Sequence, residues 1–71
     1  MKALVTLDNG DMFTIDLYTL LLTTIDTLGR PSGTTLLQYP PVAVPGHHLA
    51  FTSGDGMDTT KGKVVTVIYF R

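Results

Sequence analysis

The chain of 71 residues (7.7 kDa) is long enough for one small domain, which we expect to span residues 1–71. It contains no cysteine, which excludes disulfides, thiol catalysis and cysteine-based zinc or iron–sulfur sites. Apolar residues make up 44% of the chain and charged residues 15%, a balance that excludes intrinsic disorder. Because the net charge is only −1, we expect no sequence-independent binding to nucleic acid or to an anionic membrane.

The residue types predict a mostly β fold. The chain has twelve threonines, six valines and three isoleucines, whereas it has one glutamine and no glutamate. β-Branched side chains fit a pleated surface, and the surfaces of helices normally carry glutamate, glutamine, lysine and alanine. We therefore expect a small curled antiparallel sheet or barrel of four to five short strands, with an α+β fold as the alternative.

The N-terminal part of the chain predicts a β-hairpin. Residues 2–7 are typical of a strand, and residues 12–17 alternate apolar and polar side chains as a second strand does. Between them, Asn9 and Gly10 indicate a two-residue type I′ turn, in which both residues have positive φ.

Residues 17–28 allow two interpretations. Their leucines and isoleucine recur at helical spacing and Gly29 would end a helix, which favours one short helix at 17–28. Four threonines between residues 19 and 27 are poor helix formers and favour a strand over 20–28, paired with residues 34–39. With the helix, the element order resembles the β-grasp arrangement of ubiquitin-like domains; a small curled barrel of the SH3 or Sm-like kind is equally compatible.

The rest of the chain predicts short strands separated by loops. Besides the strand at 34–39, we expect strands at 47–52 and 64–71, an extended edge at 42–44 between prolines, and a glycine-rich loop at 53–63. Residues 64–70 are apolar on both faces of a strand. This pattern indicates burial on both sides, either beneath the helix or at a subunit interface.

The sequence carries no signature of an enzyme. Its two serines, Ser32 and Ser53, lie outside any Gly-x-Ser-x-Gly motif. Asp8 and Asp11 flank a turn, where aspartate is common for backbone reasons. The second carboxylate pair, Asp55 and Asp58, lies in the glycine-rich stretch. We therefore expect no catalytic residue and no cofactor.

The single histidine pair does not predict a metal site. His47 and His48 are neighbours on an expected strand, so their side chains point to opposite faces and cannot easily ligate one ion. A ring of imidazoles at a symmetry axis is the one arrangement in which they would bind a metal or an anion.

The glycine-rich stretch is the best candidate for a ligand site. Glycine lets backbone N–H groups approach a phosphate, and threonine hydroxyls and lysine ammonium groups complete such a cradle. The order of residues is not that of a Walker loop. We predict a small anionic, nucleotide-like ligand near a subunit interface, with Tyr69 or Tyr39 stacking on its base; the ligand-binding residues would be Gly54, Gly56, Thr59, Thr60, Lys61, Lys63, Arg71 and Tyr69. A plain hairpin loop and a protein-contact loop are the alternatives.

Charge placement suggests self-association. Residues 1–60 carry Lys2 and Arg30 against six aspartates, a balance of −4, whereas residues 61–71 carry three cations and no acid. A dipolar protomer suits head-to-tail or ring assembly.

The features combined predict a cytoplasmic, non-enzymatic, homo-oligomeric binding protein. A phage-encoded or accessory protein that sequesters an anionic ligand or inhibits a host protein would have this character. If the protein is viral, we expect it in the cytoplasm of the host. The alternative is a structural or assembly subunit without a ligand. The sequence shows no signal peptide and no apolar run of bilayer length, so we expect no membrane partner.

Overall fold

The computed structural model describes residues 1–54 and 56–71 and consists of six β-strands joined by turns. The strands are β1 (Lys2–Leu7), β2 (Met12–Asp16), β3 (Leu21–Ile25), β4 (Pro31–Leu36), β5 (His48–Ser53) and β6 (Gly56–Phe70). They form one curled antiparallel sheet in the order β4-β3-β2-β1-β6-β5. The predicted mostly β fold is confirmed, with six strands instead of four or five. Among the residues that the structure describes, no helix has the length and apolar character that crossing a membrane requires.

The predicted N-terminal hairpin is present, but its turn differs from the type I′ turn that we expected. The Leu7 carbonyl accepts a hydrogen bond from the Gly10 N–H (3.1 Å), and the Leu7 N–H donates to the Asp11 carbonyl (2.8 Å). Gly10 has a φ of 92°, whereas Asn9 does not have a positive φ. This is a three-residue turn that ends in a left-handed glycine. Asn9 stabilises it because its Oδ1 accepts the Asp11 N–H at 3.0 Å.

The prediction of a helix at 17–28 is wrong. Residues 21–25 form strand β3, which pairs with β4, as the alternative interpretation required, although β4 begins at Pro31 instead of residue 34. The threonines in the middle of β3 suit a strand better than a helix. Gly29, which we interpreted as the end of a helix, has a φ of 79° and occupies in the β3–β4 turn the place that Gly10 has in the first turn.

The sheet curls around a small core and closes partly into a barrel. The core consists of seven buried side chains: Val5, Leu7, Ile15, Leu22, Leu37, Leu49 and Val64. After β4, the crossing segment (residues 37–42) passes to the free edge of β5. There Leu37 pairs with Ser53, the Gln38 N–H donates to the Thr52 carbonyl (2.9 Å), and Val42 pairs with Ala50.

Strand β6 overturns two expectations about the C-terminal part of the chain. Residues 56–63 are not a loop, because they form the first half of this 15-residue strand and pair with β5. Residues 64–70 are not buried beneath a helix, because residues 1–54 and 56–71 contain none. Val64 is buried, whereas Val65, Ile68 and Phe70 are exposed. A bulge opposite Thr6 and Leu7 interrupts the register of β6 with β1. The other alternative, burial of this strand at a subunit interface, stays a prediction.

Candidate functional site

The predicted ligand-binding residues are spread from the β5–β6 turn over the whole length of β6. Gly54 and Gly56 lie where the hairpin turns; Thr59, Thr60, Lys61 and Lys63 follow on β6; Tyr69 and Arg71 lie at its far end. Gly56 pairs with Ser53 of β5, whereas Phe70, at the other end of β6, pairs with Lys2 of β1. The structure therefore groups the threonines and lysines at 59–63 and places Tyr69 and Arg71 apart from the glycines.

A bulge in β6 organises the middle of this stretch. His48 pairs with Lys63 and Ala50 with Thr59, so the single residue Leu49 faces the three residues 60–62, which we call the β6 bulge. The Leu49 N–H donates to Thr60 Oγ1 (3.1 Å), and that hydroxyl donates to the Gly62 carbonyl (2.8 Å). The Thr60 hydroxyl thus both accepts and donates a hydrogen bond within the fold.

His48 belongs to the same bulge. Its Nδ1 lies 3.0 Å from the Thr60 carbonyl and 3.2 Å from the Gly62 carbonyl. Both partners are acceptors, so we assign a ring hydrogen to Nδ1. Within the described residues, no three His or Asp side chains come together as a metal site.

The first hairpin turn packs against the β6 bulge from the other side. Asp8 exchanges two hydrogen bonds with Lys63: its Oδ1 accepts the Lys63 N–H (2.9 Å), and its N–H donates to the Lys63 carbonyl (2.8 Å). Gly62 is buried beneath this turn. The Lys63 N–H is therefore taken up by a carboxylate, and the groups of this stretch that face solvent are the side chains of Thr59, Lys61 and Lys63.

The aspartates outside the glycine-rich stretch hold turns. Asp16 Oδ1 accepts the N–H groups of Tyr18 (2.9 Å) and Thr19 (3.2 Å). These two hydrogen bonds, with a smaller contribution from Lys2 across the strand pair, lower the pKa of Asp16 from its ordinary value.

Asp26 has the same function in the next turn, where its Oδ1 accepts the N–H groups of Leu28 and Arg30, both at 2.9 Å. Asp11 accepts from the Asn9 amide nitrogen at 3.1 Å, in agreement with its interpretation as a turn residue. Asp58 is exposed on β6, and Asp55 lies outside the described residues.

An apolar groove of about 220 Å³ lies between the crossing segment and β5, and sequence reasoning missed it. Its lining consists of Tyr39, Pro40, Pro41, Val42, Ala50, Phe51, Thr52 and Met57. Tyr39, Val42 and Met57 are 64%, 74% and 73% exposed, so the side chains at the rim are open to solvent. The signal in the sequence was the Pro-Pro pair: neither proline has an N–H, so neither can donate a hydrogen bond to β5.

The outer face of the sheet, opposite the core, carries further apolar side chains, all exposed except the half-buried Leu4. Ala3, Val5 and Leu7 of β1 are buried, so strand alternation and register place the following residues outward: Leu4 of β1, Leu21 of β3, Leu36 of β4, and Ile68 and Phe70 of β6. Leu36 and Ile68 are 66% and 56% exposed. A sheet one layer thick has no second layer to cover them.

Comparison with known proteins gives no relative from which a function could be transferred: no protein-family model, no curated protein and no solved structure matches the chain.

Proposed function

We propose that this chain is a non-enzymatic, homo-oligomeric binding protein that contacts a protein partner through its apolar groove. The observation that carries the proposal is the amount of apolar side chain left exposed by a one-layer sheet. Tyr39, Val42 and Met57 at the groove, and Leu36 and Ile68 on the outer face, are each more than half exposed. Clustered exposed apolar surface of this kind marks sites of protein contact.

The chemistry of the groove favours a protein segment as its occupant. Its walls are two prolines, a tyrosine, a phenylalanine, a methionine and two short aliphatic side chains, with a threonine as the polar residue. Methionine adapts its shape to different apolar partners, and tyrosine offers a large, rigid contact surface with a polar tip. No charged side chain lines the groove within the described part of the chain, so a charged small molecule would find no counter-ion there.

The roles of the aspartates support the non-enzymatic part of the proposal. The carboxylates of Asp8, Asp16 and Asp26 each accept backbone N–H groups at a turn or a bulge. A carboxylate engaged in this way stabilises the backbone of its own chain. For Asp16 these hydrogen bonds also lower the pKa, whereas a general acid needs a raised one.

The test of this function is to measure association and partner binding separately. Sedimentation velocity at micromolar concentration is expected to show an oligomer, and native mass spectrometry of protein isolated from its own cell should show the copy number and any bound partner. Met57→Lys introduces a charge at the rim of the groove and is expected to release the partner while the oligomer remains. A monomer at 100 µM would contradict the homo-oligomer, and an assembly into particles without a partner would favour the structural alternative.

A second candidate function rests on the exposed lysines beside the β6 bulge. Lys61 and Lys63 both face solvent, and Thr59 lies two residues before Lys61. In this candidate function, these side chains hold the phosphate oxygens of a nucleotide-like ligand between subunits, near Tyr69 and Arg71 of a neighbouring copy. The Asp8 carboxylate beside the Lys63 N–H opposes such a ligand through its negative charge.

Calorimetry with mono-, di- and cyclic nucleotides tests this second function. The double variant Lys61→Ala/Lys63→Ala is expected to lose all binding heat while the melting temperature of the free protein stays nearly unchanged, because both side chains are exposed. Arg30→Ala, which removes an exposed cation from a different hairpin, is the matched control and should bind as the unmodified chain does. If the unmodified protein gives no heat with any nucleotide, the lysines are not a ligand site.

A further inference from the structure

The two outer strands of the sheet differ in how their edges are covered. The sheet ends at β5 on one side and at β4 on the other. The crossing segment covers the edge of β5 through the Leu37–Ser53 and Val42–Ala50 pairs and the hydrogen bond from Gln38 to Thr52. Among the described residues, β4 pairs with β3 alone, and its other edge is unpaired until Leu37.

The hydrogen-bond pattern shows which groups of β4 point to this unpaired edge. The Leu37 N–H donates to the Leu20 carbonyl at 2.8 Å, so the Leu20–Leu37 pair is a hydrogen-bonded one. Such pairs alternate along an antiparallel ladder, so Thr35 also bonds to β3, whereas the N–H and C=O groups of Thr34 and Leu36 point away from it. Gln38, next in this alternation, does send its N–H away from β3, to the Thr52 carbonyl.

Beyond its first two residues, the β4 edge lacks the usual protection of an edge strand. Proteins keep exposed edges from pairing by placing lysine or another charged residue on them, or by covering them. No charged residue occurs between Arg30 and His47. Pro31 blocks the first position of β4, and a bulge follows at Ser32, which lies between the Ile25–Pro31 and Thr24–Gly33 pairs. From Gly33 onward the strand is uncharged and exposed except for the half-buried Thr35.

We propose that β4 pairs with β4 of a second copy, antiparallel and about a twofold axis that passes between the two Thr34 residues. In that register each Thr34 N–H donates to the Thr34 carbonyl of the other copy, and Thr35 lies opposite Gly33 of that copy. An isologous contact of this kind closes as a dimer, and it joins two curled sheets into one. An uncharged strand pairs with itself without like charges opposing each other, which favours a second copy as the occupant. This inference rests on the proposed homo-oligomer and names its interface.

Thr34→Pro tests the edge contact directly. Proline removes the N–H that would cross the axis, but in the monomer that N–H bonds to nothing in β3, so the fold should tolerate the change. We expect the variant to keep its circular dichroism spectrum and to dimerise at least about tenfold more weakly, the effect of losing two intermolecular hydrogen bonds. A folded Thr34→Pro variant that dimerises as tightly as the unmodified chain would overturn the edge contact and leave the homo-oligomer standing.

Single cysteines give a second measurement that does not depend on Thr34→Pro folding. The chain has no cysteine of its own, so Thr34→Cys introduces the only thiol. Directly opposed residues in a hydrogen-bonded pair have Cα atoms about 5.5 Å apart, within reach of a disulfide. Thr34→Cys should therefore form a covalent dimer under mild oxidation.

Thr23→Cys is the matched control, because Thr23 lies opposite Thr34 on β3 and is one strand further from the axis in each copy. It should stay uncrosslinked. Equal crosslinking of both variants, or none of Thr34→Cys in a dimeric sample, would exclude the proposed register. An unmodified chain that is monomeric at 100 µM would overturn this contact together with the homo-oligomer.

Discussion

Leu49→Ala is expected to destabilise the fold by about 2–5 kcal/mol, the usual cost of removing a fully buried leucine side chain. Leu49 is 0% exposed, belongs to the core, and stands opposite the β6 bulge. A chain of this length has a total stability of only about 4–11 kcal/mol, so one such change removes a large part of it. The expected result is a shift of the urea midpoint to much lower concentration, measured by circular dichroism.

Leu28→Ala is the matched control for this change. Leu28 is 71% exposed at the β3–β4 turn, so the same loss of side chain should change the free energy of unfolding by less than about 0.5 kcal/mol. If the two variants had the same midpoint, Leu49 would not lie in the core of the folded protein.

The fold class could be predicted because the amino-acid composition and the turn residues both indicate a β fold. The many threonines and the absence of glutamate indicated strands, and the Asn9-Gly10 pair located the first hairpin. The type of turn was not predictable from that pair alone. Asn-Gly suits both the two-residue and the three-residue turn, and the hydrogen bond from the Asp11 N–H to the Asn9 side chain stabilises the three-residue turn.

The helix at 17–28 was predicted from leucines whose spacing has a different cause. Leu22 points into the core from β3, Leu21 points to the outer face, and Leu17 and Leu20 pack against the core from the β2–β3 turn. A short strand with a turn that folds inward can thus imitate the spacing of a helix. Leu20 has a φ of 61°, a conformation that leucine rarely adopts and that no sequence pattern predicts.

The candidate site was harder to predict than the fold because it depends on contacts between distant residues. The glycine-rich stretch had the composition of a loop, but pairing with β5 makes it a strand, and the Thr60 hydroxyl and the Lys63 N–H are bonded to other parts of the chain. The apolar groove likewise needs the crossing segment to return to β5. Such long-range pairing leaves no local signal beyond the Pro-Pro pair.

Gly62→Ala is expected to destabilise the fold by about 1–3 kcal/mol, the range found for overpacking a tight contact. A Cβ at Gly62 would lie 2.7 Å from Cγ and Oδ1 of Asn9 and 2.9 Å from Oδ1 of Asp8. Gly62 does not have a positive φ, so alanine meets no backbone strain and the contact alone determines the result. The first turn must move away, which weakens the hydrogen bond from the Lys63 N–H to Asp8. Chemical denaturation measures the loss.

Two further variants separate this contact from a general effect of glycine replacement. Gly33→Ala in β4 meets no atom within 4 Å and should be neutral or stabilise by up to about 1 kcal/mol, since alanine restricts the unfolded chain. Combining Gly62→Ala with Asn9→Ala removes the atoms that the new methyl group meets at 2.7 Å, so the double variant should lose less than the sum of the single variants. Strict additivity would show that the first turn does not pack on the β6 bulge.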